Sequence, residues 1–202
     1  MFAPGLDQTA LREKQQIQQA LHLISIKYSE YIAHNPSVQT LMTSYNVLVK
    51  FMATGPFMMN LRLSGQAPSG CTVNGFTDYL THPPTIYINR GTATPATLVH
   101  ELLHYLTHAN FREAFKTKPD VIEGVTEYFT RKVLGRVDHG KDLEEQFNVD
   151  RTGIYDTQHG DVTMGRGILK GPMSPTKPPK DFMKKAYFLG DHECIEILKQ
   201  IF

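Results

Sequence analysis

Residues 94–106 read TPATLVHELLHYL, and this stretch decides the fold. Thr94 followed by Pro95 is typical of a helix N-cap and first helical position, where the N–H that proline lacks would be unpaired anyway. Apolar side chains then recur at the spacing of one helix face, at Leu98, Leu102, Leu103 and Leu106. The stretch therefore predicts an amphipathic helix that begins at Pro95.

The same helix carries His100, Glu101 and His104. A spacing of four residues puts the two histidines on one face, with Cβ atoms about 5–6 Å apart, so both imidazoles can reach one ion. Glu101 stands about 100° round the helix, where it would flank the ion and take a proton from a metal-bound water. Two histidine nitrogens suit zinc, and a catalytic zinc needs a third protein ligand and an open position.

Glu123 is the candidate third ligand, and it follows His104 after 18 intervening residues. A second helix is predicted from Asp120 to Val133, with Asp120 as its N-cap and Gly135 closing it. Within that helix Asp120 and Glu123 also fit a capping box, in which Glu123 would bond back to the cap. Both readings of Glu123 are open at this level.

The motif HExxH followed by this Glu resembles the gluzincin clan of metallopeptidases, and the resemblance covers residues 85–131. It implies a zincin-like α+β fold with one zinc ion per chain, held by His100, His104 and Glu123. It also implies that Glu127, four residues on, accepts a hydrogen bond from the non-ligating nitrogen of His100 and so orients that ring. The alternative for Glu127 is a surface carboxylate that pairs with Arg131 at i+4.

Relatives in that clan use a Tyr or His beyond the ligand Glu to stabilise the oxyanion, and Tyr155 and Tyr187 are the candidates here. The alternative for each is a packing aromatic. His108 suggests the metzincin pattern of a third histidine, but no Gly turns the chain between His104 and His108. We therefore expect His108 to continue along the helix as a surface or supporting residue rather than a ligand.

The rest of the chain predicts a small mixed sheet followed by a mainly helical C-terminal part. Residues 7–33 carry a helical apolar stripe, residues 37–53 fit a helix better than a strand, and helices are expected over 182–189 and 192–201. Short β-prone runs occupy 59–63, 71–73 and 85–89. Because Pro83 and Pro84 precede the last run, we expect 85–89 to be an edge strand. Residues 146–180 predict a functional or disordered loop.

The length of 202 residues favours a single domain, with the sheet and HExxH helix at about 55–110 and the Glu-ligand helix and tail at about 120–202. The formal charge of +1 gives no indication of a nucleic-acid partner. Cys71 and Cys194 fit either two buried thiols or one long-range disulfide. No secretory signal or membrane span is evident, which predicts a soluble protein, cytoplasmic or exported without a cleavable signal. The oligomeric state is left open.

These features predict a zinc metallopeptidase in which Glu101 is the general base for a zinc-activated water. The substrate would be a polypeptide added as an extra strand along 85–89. The small size is also compatible with a delivered toxin or effector protease. The alternatives are an amidohydrolase acting on a non-protein or cell-wall amide, and a non-catalytic zinc module. A closed structural site needs four ligands and no base, so Glu101 speaks against the last.

Overall fold

The computed structural model describes residues 4–33, 35–65, 73–135 and 181–202. The chain clusters into two compact units, one of Met1–Ser29 with Pro36–Tyr105 and one of Glu30–Asn35 with Leu106–Phe202. The secondary structure is mostly helical with one small mixed sheet, so the α+β class is confirmed. The single domain over 1–202 stays a prediction, and the predicted loop at 146–180 lies outside the described residues.

The helices of the first unit are α1 (Pro4–Ile32, which leaves this unit after Ser29), α2 (Pro36–Leu48), α3 (Thr54–Leu63) and α4 (Pro95–Leu106). Helix α1 matches the predicted stripe over 7–33, and its inward face is buried at Ile17, Ala20, Leu21 and Ile24. Its backbone departs from helical geometry at Tyr28, with φ −130° and ψ 21°, which marks a kink. No helix among the described residues is long and apolar enough to cross a membrane.

The sheet has three strands, β1 (Val49–Met52), β2 (Gly75–Asp78) and β3 (Thr85–Asn89), in the order β1-β3-β2. Strand β1 runs parallel to β3, with Val49 opposite Ile86. Strand β2 runs antiparallel to β3, with Phe76 opposite Tyr87. Phe57 of α3 packs against one face, in a buried cluster with Leu61, Phe76 and Tyr87.

The expectation that residues 85–89 form an edge strand is wrong. The bounds of the strand are as predicted, but β3 is the middle strand and all five of its residues are buried. Pro83 and Pro84 lie before the strand rather than in it, so they remove no N–H from its ladder. A continuous apolar run such as Ile86 to Ile88 is typical of a strand covered on both sides. The outer strand on the side of α4 is β2.

Two other local predictions change. Residues 59–63 were expected as a strand but belong to α3, because Phe57 and Leu61 lie one turn apart and are both buried. The region 37–53 is helical only as far as Leu48 and continues as β1, so each of its two readings holds for one part. The strand expected at 71–73 is not found at Val73, and residues 71 and 72 lie outside the described part.

The second unit contains α5 (Ala109–Ala114), α6 (Pro119–Val133), α7 (Phe182–Lys184), a π-helical turn over Lys185–Leu189 and α8 (His192–Ile201). The helices predicted over 182–189 and 192–201 are therefore confirmed, the first with a π-helical second half. The core is aromatic. The ring centroid of Tyr187 lies 4.9–5.2 Å from the ring centroids of Phe111, Phe129 and Phe188. Gly190 ends the π-helical turn with φ +64°.

Candidate metal centre

Helix α4 begins where the sequence predicts, at Pro95. The Thr97 N–H donates a hydrogen bond to the Thr94 hydroxyl at 3.3 Å, which is the predicted N-cap. The predicted apolar face is buried at Leu98, Leu102, Leu103 and Leu106. This packing fixes the rotation of the helix about its axis, and with it the direction of His100, Glu101 and His104.

The two histidines of α4 meet at their outer nitrogens. Nε2 of His100 lies 2.9 Å from Nε2 of His104, with ring centroids 4.6 Å apart and ring planes at 70°. Two imidazole nitrogens at 2.0–2.1 Å from one tetrahedral ion are about 3.3 Å apart, so the pair is within a few tenths of an ångström of that spacing. At the end of α4 the Tyr79 hydroxyl donates to the His104 carbonyl at 2.6 Å and braces this turn.

Glu101 lies against β2, with only 6% of its surface exposed. The Thr77 hydroxyl donates to Glu101 Oε2 at 3.0 Å, and its distance to the Glu101 carbonyl is 3.2 Å. Two residues along the strand, a Cβ built on Gly75 would lie 2.8 Å from Cγ of Glu101. The carboxyl therefore occupies room that the absent side chain of Gly75 leaves open.

Glu123 is exposed on α6. One group of three His or acidic side chains among the described residues has the arrangement of a metal site, namely His100, His104 and Glu123, whose ligand atoms lie within 4.8 Å of one another. Two imidazole nitrogens and one carboxylate oxygen are a donor set that suits zinc and leaves a fourth position for water. The residues present therefore fit the predicted ion by the chemistry of their donors.

The capping-box reading of Glu123 is wrong because α6 begins earlier than predicted. Pro119 is the first helical residue, and Lys118, not Asp120, is the N-cap. Asp120 thus lies inside the first turn, where its charge favours the helix N-terminus. Glu123 sits a full turn beyond the cap, so bonding back to it is not the role of its carboxylate.

Glu127 pairs with Arg131, the residue four positions on. Its Oε1 accepts a hydrogen bond from Arg131 Nε at 3.0 Å, one helical turn on, and both side chains are about four-fifths buried, at 20% and 24% exposure. This pair on α6 does not exhaust the contacts of Glu127. The hydrogen bond to His100 that the resemblance implies stays a prediction.

Tyr187 is fully buried in the aromatic core of the second unit. Its hydroxyl lies 2.7 Å from the Thr126 hydroxyl, and burial raises the pKa of the phenol well above its usual value. This environment favours the alternative of a packing aromatic over the predicted oxyanion donor. The other candidate, Tyr155, lies outside the described residues.

His108 does not continue α4, which ends at Leu106, and that part of the prediction is wrong. It is the N-cap of α5, where its Nδ1 accepts from the Asn110 N–H at 3.1 Å. Burial first, and then the nearby Arg112 cation, lower the pKa of His108. His108 thus has a structural role at a helix start, outside the cluster of ligand atoms.

Cys194 is a buried thiol in α8, and Cys71 lies outside the described residues. Burial, followed by the hydrogen bond and charge of Asp191, raises the pKa of Cys194 to about 12. The thiol is therefore protonated at neutral pH and is a poor nucleophile or metal ligand there.

Three residues that contact α4 at Glu101 and His104 were not found by sequence reasoning, namely Gly75, Thr77 and Tyr79. Each reaches α4 from β2 or the turn that follows it, more than 20 positions away in the chain. No spacing rule connects a strand residue with a helix residue at that separation, so the sequence carries no signal for them. The chain matches no family model, no curated protein and no solved structure in the comparisons made.

Proposed function

We propose that this chain is a zinc-dependent metallopeptidase, with His100, His104 and Glu123 as ligands and Glu101 as general base. The observation that carries the proposal is the convergence of the three candidate ligand atoms within 4.8 Å, together with a second acidic side chain, Glu101, which follows His100 in the chain and is not part of the group. A structural zinc site needs four protein ligands and no base. Three candidate ligands with an adjacent carboxyl fit a catalytic site better.

When bound, zinc acidifies a water molecule toward neutral pH and polarises a carbonyl group. Glu101 would take the proton of the attacking water at a carboxylate oxygen and return it to the leaving amine. Proton transfer by a positioned carboxylate contributes about 10²- to 10⁴-fold to such a rate. The helix places Glu101 next to His100, so its reach to the attacking water is set by α4 itself.

The substrate class that fits this arrangement is an extended polypeptide. Strand β2 is an outer strand of the described sheet, and its residues Gly75 and Thr77 lie against Glu101. A peptide can pair with the backbone of an outer strand as an additional strand, which would carry its scissile carbonyl past the proposed base. The substrate strand expected at 85–89 is thereby replaced by residues 75–78.

The test begins with the zinc content of the full chain and of a Glu101→Gln variant. We expect both to bind one zinc per chain, because Glu101 is not a ligand, while only the wild type digests a mixed peptide library in a chelator-sensitive manner. Glu113→Gln is the matched control, since Glu113 is an exposed residue of α5 paired with Lys116. It should match the wild type in both measurements.

A Glu123→Ala variant tests the third ligand. We expect loss of zinc with the fold retained, because Glu123 is exposed and is not part of the helix cap. Unchanged zinc content would move the ligand role to another residue. A wild type that binds zinc but leaves every peptide intact would contradict the peptidase and favour a non-protein amide or a non-catalytic module.

A further inference from the structure

The Thr77 hydroxyl is buried, and its partner is the proposed base. Thr77 is 5% exposed and Glu101 is 6% exposed, with 3.0 Å between the hydroxyl oxygen and Oε2. A carboxyl taken out of water needs hydrogen bonds to offset its lost solvation, and those made to a charged group are stronger than neutral ones. The contact is therefore a strong constraint on where the carboxyl points.

The sheet fixes the direction of Thr77. Side chains alternate along β2, so Gly75 and Thr77 share one face while Phe76 occupies the other. Phe76 stacks on Tyr87 with ring centroids 4.9 Å apart and meets Phe57 edge-on at 5.4 Å. Because Phe76 is anchored in this cluster, β2 cannot rotate, and the Thr77 hydroxyl is held toward α4.

We propose that Thr77 is a positioning residue for Glu101, an inference that rests on the proposed function. Its hydroxyl holds Oε2 and so fixes the direction of the carboxyl that takes the proton of the attacking water. Without that hydrogen bond the carboxyl can turn about its last bond, and the base spends less time in the productive direction. A small misplacement of a reacting group is enough to lower turnover strongly.

A purely structural role would have a different signature. The Thr77 hydroxyl also lies 3.2 Å from the Glu101 carbonyl, so its role could be limited to a hydrogen bond with the backbone of α4. In that case its loss would lower stability and leave the turnover of the folded enzyme unchanged. The two roles are therefore separated by kcat measured on folded protein.

The experiment compares Thr77→Val, Thr77→Ser and Thr85→Val in the zinc-loaded full chain, with a quenched fluorescent peptide chosen from the library digest. Thr77→Val should lower kcat by about 10- to 100-fold, with KM changed by less than about threefold and zinc content unchanged. Thr77→Ser keeps the hydroxyl and should restore most of kcat. Thr85→Val is the matched control, because Thr85 is a buried strand threonine whose hydroxyl contacts Thr81 at 3.1 Å instead.

Wild-type kcat in Thr77→Val would overturn the proposal and leave the metallopeptidase standing. The same would follow if Thr77→Ser lost as much activity as Thr77→Val, since the hydroxyl would then not be the responsible group. A loss seen only in KM would point to substrate contact rather than positioning of the base.

A second measurement needs neither zinc nor activity. Thermal unfolding of the metal-free chain is compared for Thr77→Val in the wild type and in a Glu101→Ala background. The melting temperature should fall by about 3–10 °C in the wild type and by clearly less without the carboxyl. Equal shifts would refute the contact itself. If the coupling is present but the wild type cleaves no peptide, the proposed function fails and the contact is only structural.

Discussion

Replacing Gly75 by alanine is the sharpest test of how the base is held. The new Cβ would lie 2.8 Å from Cγ of Glu101, 3.2 Å from its Oε1 and 3.0 Å from Cγ2 of Thr97. Ordinary contact begins at 3.4 Å, so the Glu101 side chain must withdraw by about 0.6 Å. Thr97 is also too close to the new methyl group, and both Thr97 and Glu101 belong to α4. We therefore expect α4 to shift away from β2.

The expected loss follows from that displacement. A misplacement of about 1 Å costs roughly 10²-fold in rate, so a shift of about 0.6 Å predicts a kcat lower by about 10- to 30-fold. Overpacking lowers the free energy of unfolding by about 1–3 kcal/mol. Replacing glycine also reduces the conformational entropy of the unfolded chain, which offsets about 0.4–1 kcal/mol of this loss. The net loss of about 1 kcal/mol lowers the melting temperature by only about 2–4 °C, so the enzyme remains folded in the assay.

The assay is steady-state cleavage of the fluorescent peptide, with zinc content and melting temperature measured on the same samples. Gly55→Ala is the matched control, because a Cβ at Gly55 in α3 meets nothing within 4 Å. The control should keep wild-type kcat and equal or exceed wild-type stability. The reasoning is refuted if Gly75→Ala retains wild-type kcat, or if the control loses as much.

Two further predictions concern the second unit. Tyr187→Phe removes the hydrogen bond between its hydroxyl and the buried Thr126 hydroxyl and should lower the free energy of unfolding by about 1–2 kcal/mol in urea titrations, with kcat unchanged. A 10²-fold loss of kcat at retained stability would restore the oxyanion role. The lowered pKa of His108 means that the folded state favours the neutral imidazole. The contribution of His108 to the free energy of unfolding is therefore fully present above pH 6.5 and is lost as the pH falls below that value. His108→Asn keeps a cap acceptor without the titration, so its urea midpoint should fall less than that of the wild type between pH 7 and 5, and equal falls would contradict the assignment.

The elements that could be predicted from the sequence are those with a complete local signal. Helix α4 has its cap, its proline and its apolar stripe within 13 residues, and its start is where the pattern puts it. Strand β3 also has the predicted bounds, because a short β-branched and aromatic run after two prolines has few other readings. The closeness of the candidate ligands His100 and His104 follows from helix spacing alone.

The misread elements depend on contacts that are distant in the chain. Residues 59–63 alternate like a strand, and only the burial of Phe57 and Leu61 against Phe76 and Tyr87 decides for α3. Strand β2 begins with Gly75 and ends with Asp78, two residues depleted in strands, so its sequence reads as a turn. Its place beside β3 comes from sheet pairing, which no local pattern encodes.

The order of the strands decides which strand a substrate peptide could pair with, and so how close that peptide would lie to Glu101. If β3 were an outer strand, a bound peptide would lie one strand further from α4. With β2 outside, the strand open to pairing is the one whose Thr77 and Gly75 already contact the proposed base. Substrate binding and orientation of the carboxyl would then share one strand, so a peptide that pairs with β2 would lie beside the group that takes the proton of the attacking water. With β2 as the outer strand, the proposed substrate would therefore lie closer to Glu101 than a peptide paired with β3.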